Sequence, residues 1–103
     1  MYKELDPLLL SQLRLAVMSF LMVSRQAEFG VLKEKTGATA GNLSIQISKL
    51  QEAGYLEVEK TFKNNYPLTI ARITPQGVAA FEAFYVDLRT YLEPEQPNLS
   101  GLG

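Results

Sequence analysis

The sequence predicts a mainly α-helical domain that contains one small β-hairpin, with its elements in the order α-α-α-β-β-α. Two observations predict this class. Apolar residues recur at the three- and four-residue spacing of amphipathic helices near both ends of the chain and in its middle. From residue 55 the spacing changes to two, as in a half-buried strand. The length of 103 residues, 47% of them hydrophobic, predicts one domain over residues 1–92 and a flexible tail over residues 93–103.

The first helix is predicted to begin at Asp6-Pro7 and to end near Met22. An aspartate accepts backbone N–H bonds at an N-cap, and proline in the first turn gives up no needed donor. Two apolar stripes run along this helix, although a surface helix needs only one. We assign the first stripe to the core: Leu9, Leu13, Ala16, Val17 and Phe20. The second is either extra core or a protein interface: Leu8, Leu15, Met18 and Met22.

Two shorter helices are predicted to follow. The second covers about residues 27–35 and ends at Gly37, since glycine suits the left-handed conformation after a helix. The third covers residues 40–53, with Thr39 as its N-cap and Gly54 at its end. The side chains of the third helix that are expected to point into the core are Leu43, Ile47 and Leu50.

The hairpin is predicted from strands at about residues 55–59 and 68–73. Between them, Asn64 and Asn65 have turn chemistry, because asparagine tolerates positive φ. After the hairpin, a capping residue is again followed by proline, as at the start of the first helix. This signal predicts a last helix over residues 75–92.

Composition excludes most catalytic and metal chemistry. The chain has no cysteine and no histidine, and so lacks thiolate nucleophiles, imidazole bases and the usual zinc, copper and iron ligands. Glu57 and Glu59 share a strand face, but two carboxylates alone do not form a catalytic site. We therefore expect no enzymatic activity, no metal and no cofactor. The sequence also shows no signal-type segment and no apolar run of membrane length, which predicts a cytoplasmic protein without a membrane partner.

Charge is divided unevenly along the chain, although the net charge is only −1. Residues 1–74 carry nine Lys/Arg and seven Asp/Glu, whereas residues 75–103 carry one and four. The net charge argues against strong non-specific binding to nucleic acid, which depends on cations that neutralise phosphates. The acidic excess lies at the carboxyl end, so the argument against nucleic-acid binding is weaker for residues 1–74.

Four short motifs, in their order and spacing, resemble one family. They are Phe29-Gly-Val-Leu-Lys-Glu-Lys-Thr-Gly37, Gly41-Asn-Leu-Ser44, Lys49-Leu-Gln-Glu-Ala-Gly-Tyr55 and Ile73-Thr-Pro-Gln-Gly77. Over about residues 8–92 the chain resembles the small bacterial and archaeal winged-helix regulators related to the MarR and ArsR groups. The resemblance implies a winged helix-turn-helix that binds double-stranded DNA as a homodimer and regulates transcription. It also implies that residues 40–49 form the recognition helix and residues 61–68 the wing.

The outward side of the third helix is predicted to read DNA. Ile45 is placed to meet a thymine methyl group, and Asn42 and Gln46 have amides that pair with adenine. Lysines of the helix and the wing are expected on one side as phosphate contacts. The predicted DNA contacts are Thr39, Ala40, Gly41, Asn42, Ser44, Ile45, Gln46, Ser48 and Lys49 in the recognition helix, and Lys60, Lys63, Asn64 and Asn65 in the wing.

The apolar surplus on the first and last helices predicts a homodimer. These helices carry more apolar side chains than one small domain is expected to enclose, and a symmetric dimer would cover them. An aromatic cleft near Phe84 and Tyr91 in that dimer would admit a small apolar effector. The predicted interface residues are Leu8, Leu15, Met18, Met22, Phe81, Phe84, Tyr85, Leu88 and Tyr91.

An alternative function is a winged-helix protein-interaction module with weak or no DNA binding. The slightly acidic chain and the few lysines of the wing favour this alternative. The turn between the two short helices and the outward side of the third helix favour DNA binding.

Overall fold

A computed structural model describes residues 1–95. A short 3₁₀ turn, Pro7–Leu9, precedes α1 (Gln12–Ser24), β1 (Gln26–Glu28), α2 (Phe29–Thr36), α3 (Ala40–Glu52), β2 (Leu56–Lys63), β3 (Tyr66–Ile73) and α4 (Pro75–Leu92). The predicted winged helix-turn-helix is confirmed, with one strand more than expected. Within the described range, no helix has both the length and the apolar character of a membrane span. Most of the tail predicted over residues 93–103 lies outside that range.

The first helical segment is divided into two parts. Asp6 caps the 3₁₀ turn, since its Oδ1 accepts a hydrogen bond from the Leu8 N–H at 3.0 Å. Ser11 then caps α1 by accepting from the Arg14 N–H at 3.3 Å. The prediction of one continuous helix is therefore wrong at its start, because a second capping residue lies inside the apolar pattern.

The additional strand, β1, separates α1 from α2. It pairs antiparallel with residues 70–72 of β3, and the sheet order is β1-β3-β2. Ala27 lies in this strand opposite Ala71, so the predicted start of the second helix at residue 27 is wrong and α2 begins at Phe29. Gly37 ends α2 at a φ of 71°, as predicted.

β2 and β3 form the predicted hairpin, and a two-residue turn joins them. Asn64 and Asn65 both have positive φ, 51° and 67°, as in the tight turn that matches the twist of a hairpin. The ladder continues to the pair Lys63 and Tyr66, so both strands extend closer to the tip than the sequence predicted. Side chains alternate between an inner face, which packs toward α3, and an outer face.

The connection between α3 and β2 packs against the start of α4. We call this region, residues 54–55 and 74–77, the joint. The Thr74 hydroxyl donates to the Gly54 carbonyl at 2.6 Å and accepts from the Gly77 N–H at 2.9 Å, which caps α4. The Thr74 N–H also donates to the Tyr55 carbonyl at 3.0 Å. These hydrogen bonds fix the orientation of α4 relative to the end of α3.

One apolar core lies between the 3₁₀ turn, the four α-helices and the sheet. The sequence assigns Met18 and Phe84 to a dimer interface, and this assignment is wrong because each is enclosed by its own chain. The buried apolar residues are Leu9, Val17, Met18, Leu21, Leu32, Leu43, Ile47, Leu50, Leu56, Ala71, Ile73 and Phe84.

The first residues of the chain lie along the last turns of α4. The Lys3 N–H donates to the Thr90 hydroxyl at 3.1 Å, and the Tyr91 hydroxyl donates to the Lys3 carbonyl at 2.7 Å. The rings of Tyr2 and Tyr91 are 5.0 Å apart between centroids. We call residues 1–6 the N-terminal strap, since they connect the end of α4 to the start of the 3₁₀ turn.

The strap is also attached to the joint, through Tyr55. The Tyr55 hydroxyl donates to Asp6 Oδ2 at 2.5 Å. This hydrogen bond, with partial burial and the Asp6 charge as smaller causes, raises the pKa of Tyr55 to about 12. The folded chain therefore keeps a proton that the unfolded chain releases near pH 10. The resulting stabilisation is complete below about pH 10 and is lost as the pH rises from about 10 to about 12.

We expect Tyr55→Phe to remove this pH-dependent part of the stability. At neutral pH the wild type should be more stable than the variant, and the difference should shrink above about pH 10. Urea denaturation of both proteins between neutral pH and about pH 11.5 measures it. Tyr66→Phe is the matched control, since Tyr66 is exposed at the tip of the hairpin and lies outside the predicted dimer interface, and its difference from wild type should stay constant. A constant difference for Tyr55→Phe would contradict the role of the Asp6 contact.

Candidate nucleic-acid interface

α2, the turn at residues 37–39 and α3 form a helix-turn-helix. The Thr39 hydroxyl caps α3 by accepting from the Asn42 N–H at 3.2 Å. A Cβ at Gly41 would meet no atom within 4 Å, so the chain leaves space around the first turn of α3. The start of α3 is therefore open to an external surface, as the N-terminal part of a recognition helix must be.

α3 buries one side and exposes the other. Leu43, Ile47 and Leu50 are buried, as predicted. On the opposite side, Ile45 has 56% of its surface exposed although it is apolar. Contact of this side with DNA stays a prediction. The side is exposed, as such contact requires. The other exposed residues of α3 and its cap that we predicted as DNA contacts are Thr39, Ala40, Gly41, Asn42, Ser44, Ser48 and Lys49.

A shallow groove lies between α3 and the inner face of the hairpin. Ser44 and Ser48 line it from α3, and Lys60 and Thr69 line it from the strands. Lys60 is exposed and, within residues 1–95, forms no ion pair. Its ammonium group is therefore available beside the outward side of α3.

The outer face of the hairpin pairs its cations with carboxylates. Lys63 lies three residues after Lys60 and so points to the opposite face, where its Nζ is 3.9 Å from Glu28 Oε1. On the same face, Arg72 is 3.2 Å from Glu59 Oε1 and 4.0 Å from a Glu57 oxygen. The expectation that Lys60 and Lys63 share one side is wrong, because an odd spacing along a strand reverses the face.

The wing tip carries two exposed aromatic residues that our sequence analysis missed. Phe62 is 72% exposed and Tyr66 is 75% exposed, on either side of the Asn64-Asn65 turn. Phe62 lies two residues after Lys60, and alternation therefore places it on the inner face. That even spacing was visible in the sequence and indicates an apolar side chain next to a lysine on the side that faces α3.

α1 contributes one residue to this surface, and nothing in the sequence indicated it. Arg14 Nη1 donates to Gln46 Oε1, and Gln46 Nε2 donates to Asn42 Oδ1 at 3.0 Å. Gln46 is half-buried and already hydrogen-bonded at both ends of its amide. One lone pair and one N–H of this amide are therefore already used, and the predicted contact with adenine, which stays a prediction, would have to use the remaining ones. Arg14 and Gln46 lie 32 positions apart in the sequence, and local patterns do not reveal a contact over that distance.

The geometry is that of a winged helix, and comparison with known proteins agrees with it. Residues 13–92 match the family model of the winged helix DNA-binding domain. The chain belongs to this family. The uncharacterized protein MJ0432 of Methanocaldococcus jannaschii is 33% identical over 78 residues, which cover 76% of this chain and 85% of that protein.

Solved structures agree with the winged-helix assignment. A transcriptional regulator homologue from Pyrococcus horikoshii OT3 is similar with a TM-score of 0.78 and 28% identity, over 84% of this chain and 85% of that one. A MarR-family transcriptional regulator from Silicibacter pomeroyi is similar with a TM-score of 0.61 over 92% of this chain and 66% of that one. Its 17% identity shows the fold alone. The predicted membership among winged helix-turn-helix regulators is confirmed.

This winged-helix chain exposes apolar residues on the second half of α4. Tyr85 is 61% exposed, and Tyr91 is exposed to a smaller extent. Val86 and Leu92 are also exposed, and our sequence analysis did not include them in the interface. The remaining predicted interface residues are half-buried: Leu8, Leu15, Met22, Phe81 and Leu88.

The aromatic cleft predicted near Phe84 and Tyr91 is not open in the single winged-helix chain. Phe84 is buried in the core. Tyr91 packs against Tyr2, and its hydroxyl is bound to the strap. A small apolar effector between two chains stays a prediction.

Proposed function

We propose that this protein is a cytoplasmic, homodimeric transcriptional regulator that binds specific sequences of double-stranded DNA. In this proposal α3 enters the major groove and the wing contacts the neighbouring backbone. The observation that supports it most is the exposed side of α3, from Asn42 to Lys49, which lies beside Lys60, a residue with no ion pair in the described part of the chain. The family match and the similar regulator homologue from Pyrococcus horikoshii support the same function.

The shape of the exposed side supports entry into a groove. Gly41, Ser44 and Ser48 are small, so the helix axis can approach the base edges closely. Ile45 lies among them and offers the apolar surface that suits a thymine methyl group. Lys49 on the helix and Lys60 on the wing supply charges on either side of the base contacts. This arrangement separates residues that read bases from residues that hold phosphates.

The test is binding to duplexes selected from random DNA, followed by fluorescence anisotropy at several salt concentrations. If two lysines of each chain in a dimer contact phosphates, affinity should fall about a hundredfold between about 50 and about 200 mM salt, through release of counterions. Enrichment of a near-palindromic sequence would support both specificity and the dimer. If no duplex binds more tightly at low salt, the alternative of a protein-interaction module replaces this proposal.

The two wing lysines should differ in their contribution to binding. We expect Lys60→Ala to weaken binding to all duplexes alike and to reduce the slope of log affinity against log salt by about 1 per chain. Lys63→Ala is the matched control, and its effect should be smaller because Lys63 lies on the outer face near Glu28. Equal effects of the two substitutions would show that the outer face contacts the backbone as closely as the inner face does.

Apolar residues of α4 support the homodimer. The core leaves three large apolar side chains of this helix exposed: Tyr85, Val86 and Leu92. Exposed apolar surface favours burial against another surface. A second copy of the same helix offers the same residues, as a symmetric interface requires. In this proposal the dimer is formed through α4, and the exposed side of α3 stays free for DNA.

A further inference from the structure

Arg14 is held at two points between the 3₁₀ turn and α3. Its Nε donates to the Leu8 carbonyl at 2.6 Å, and its Nη1 donates to Gln46 Oε1. Arg14 and Gln46 are both half-buried, so the contact is partly shielded from water. The backbone carbonyl sets the direction of the guanidinium, which then presents its other end to the amide of Gln46.

This contact determines which way two amides of α3 face. Arginine has only donors, so the Gln46 atom that meets it must be the oxygen. The Gln46 nitrogen then lies on the side of Asn42 and donates to Asn42 Oδ1 at 3.0 Å. The Asn42 amide is thereby oriented as well, and its Nδ2 donates to no other group among residues 1–95. We call Arg14, Gln46 and Asn42 the amide relay.

The relay ends in donors at the exposed start of α3. Asn42 is exposed, and its Nδ2 carries two N–H groups, while one side of its oxygen is engaged by Gln46. Pairing with adenine uses the oxygen and the nitrogen of one amide together, and in both amides of the relay the oxygen already accepts one hydrogen bond. The major-groove edge of guanine presents two acceptors, N7 and O6, and accepts such donors.

We propose that Arg14 is a positioning residue for base recognition, and that the relay it orients makes Asn42 read a guanine. The proposal rests on the DNA binding proposed above. It replaces the adenine contact expected from the sequence, because that expectation treated the two amides as free to turn. Arg14 itself acts through Gln46 and need not touch a base.

The experiment starts with duplexes selected by the wild-type protein from random DNA. The position at which Asn42→Ala loses base preference identifies the base that Asn42 reads. We expect guanine there, and 7-deazaguanine at that position should lower wild-type affinity about tenfold, since it lacks the N7 acceptor. Once the position is known, the affinity is measured with the wild-type protein alone. Adenine at the position, or full affinity for 7-deazaguanine, would overturn the proposal.

Variants of Arg14 test the positioning role. Arg14→Met should reduce a roughly tenfold preference for guanine over adenine to near equality, because both amides are then free to turn. Lysine also donates and cannot accept a hydrogen bond, so Arg14→Lys should retain more of the preference for guanine than Arg14→Met does. Lys35→Met removes a charge from α2 and should leave the preference unchanged.

The outcomes separate this proposal from the proposed function. If Arg14→Met binds DNA with an unchanged preference for guanine, the positioning role is wrong while DNA binding stands. If the wild type binds no duplex, the proposed function and the guanine contact are both wrong. Thermal unfolding of each variant checks that a change in preference is not a loss of fold.

Discussion

The Gly77→Ala variant is expected to lose about 3 kcal/mol of unfolding free energy, because the joint has no space for a methyl group. A Cβ at Gly77 would lie 2.3 Å from the Tyr55 carbonyl oxygen and 3.0 Å from Ile73 Cγ1. The Tyr55 carbonyl is held by the Thr74 N–H at 3.0 Å and cannot move away without breaking this contact. A loss of this size is a large part of the roughly 5–15 kcal/mol that stabilises a small domain.

The matched control is Gly30→Ala, the same substitution in α2. A Cβ at Gly30 would meet no atom within 4 Å, and alanine is the better helix former. This variant should therefore gain up to about 1 kcal/mol. Urea denaturation of both variants and the wild type measures the effects. A Gly77→Ala protein as stable as wild type would show that α4 does not pack against Tyr55 as closely as described.

The joint also connects the stability of the fold to the position of α3. Gly54 lies two residues after the end of α3, and its carbonyl accepts the hydrogen bond from the Thr74 hydroxyl that caps α4. If α4 moves outward to make room for a methyl group, this bond is strained, and α3 and α4 no longer keep one fixed relation. In a dimer formed through α4, the spacing of the two α3 helices would then change.

The sequence predicted α3 and its outward side well because local signals determine them. Thr39 caps the helix, and Leu43, Ile47 and Leu50 recur on one side at helical spacing. Each signal acts within a few residues, so no knowledge of distant contacts is needed. The start of α4 was predicted from the same kind of evidence, a capping threonine followed by proline.

The sequence did not predict β1 or the amide relay, because both depend on distant partners. β1 has three residues and becomes a strand only by pairing with residues 70–72. Arg14 meets Gln46 across 32 positions, and the charge of Arg14 alone did not distinguish it from other surface cations. The division of the wing lysines between two faces was accessible from their spacing, but only once the strand was known to extend to residue 63.

The dimer interface stays a prediction, and the structure corrects some of the residues that the apolar pattern assigned to it. Met18 and Phe84 belong to the core, whereas Val86 and Leu92 remain exposed. An apolar pattern shows which residues share one side of a helix, but the rotation of that helix against its neighbours decides which side is covered. For α4 that rotation follows from its packing against α1, which the sequence does not specify.

Tyr85→Glu is expected to abolish the homodimer and to weaken binding to a near-palindromic duplex by about 10²- to 10⁴-fold. Tyr85 is 61% exposed on α4, so a glutamate is tolerated in the single chain. In a symmetric interface the substitution places two carboxylates in apolar surroundings, where burial of charge is costly. Binding then loses the advantage of two linked recognition helices. Sedimentation at micromolar concentration should show twice the monomer mass for the wild type and the monomer mass for the variant.

Tyr66→Glu is the matched control, because it makes the same change at an exposed tyrosine of the wing. It should leave the dimer intact and reduce only DNA binding. Binding of a single half-site separates the two effects, since Tyr85→Glu should bind one half-site as the wild-type chain does, whereas Tyr66→Glu should bind it less tightly. A Tyr85→Glu protein that still sediments as a dimer would place the interface elsewhere. The exposed residues of α4 would then need another partner to cover them.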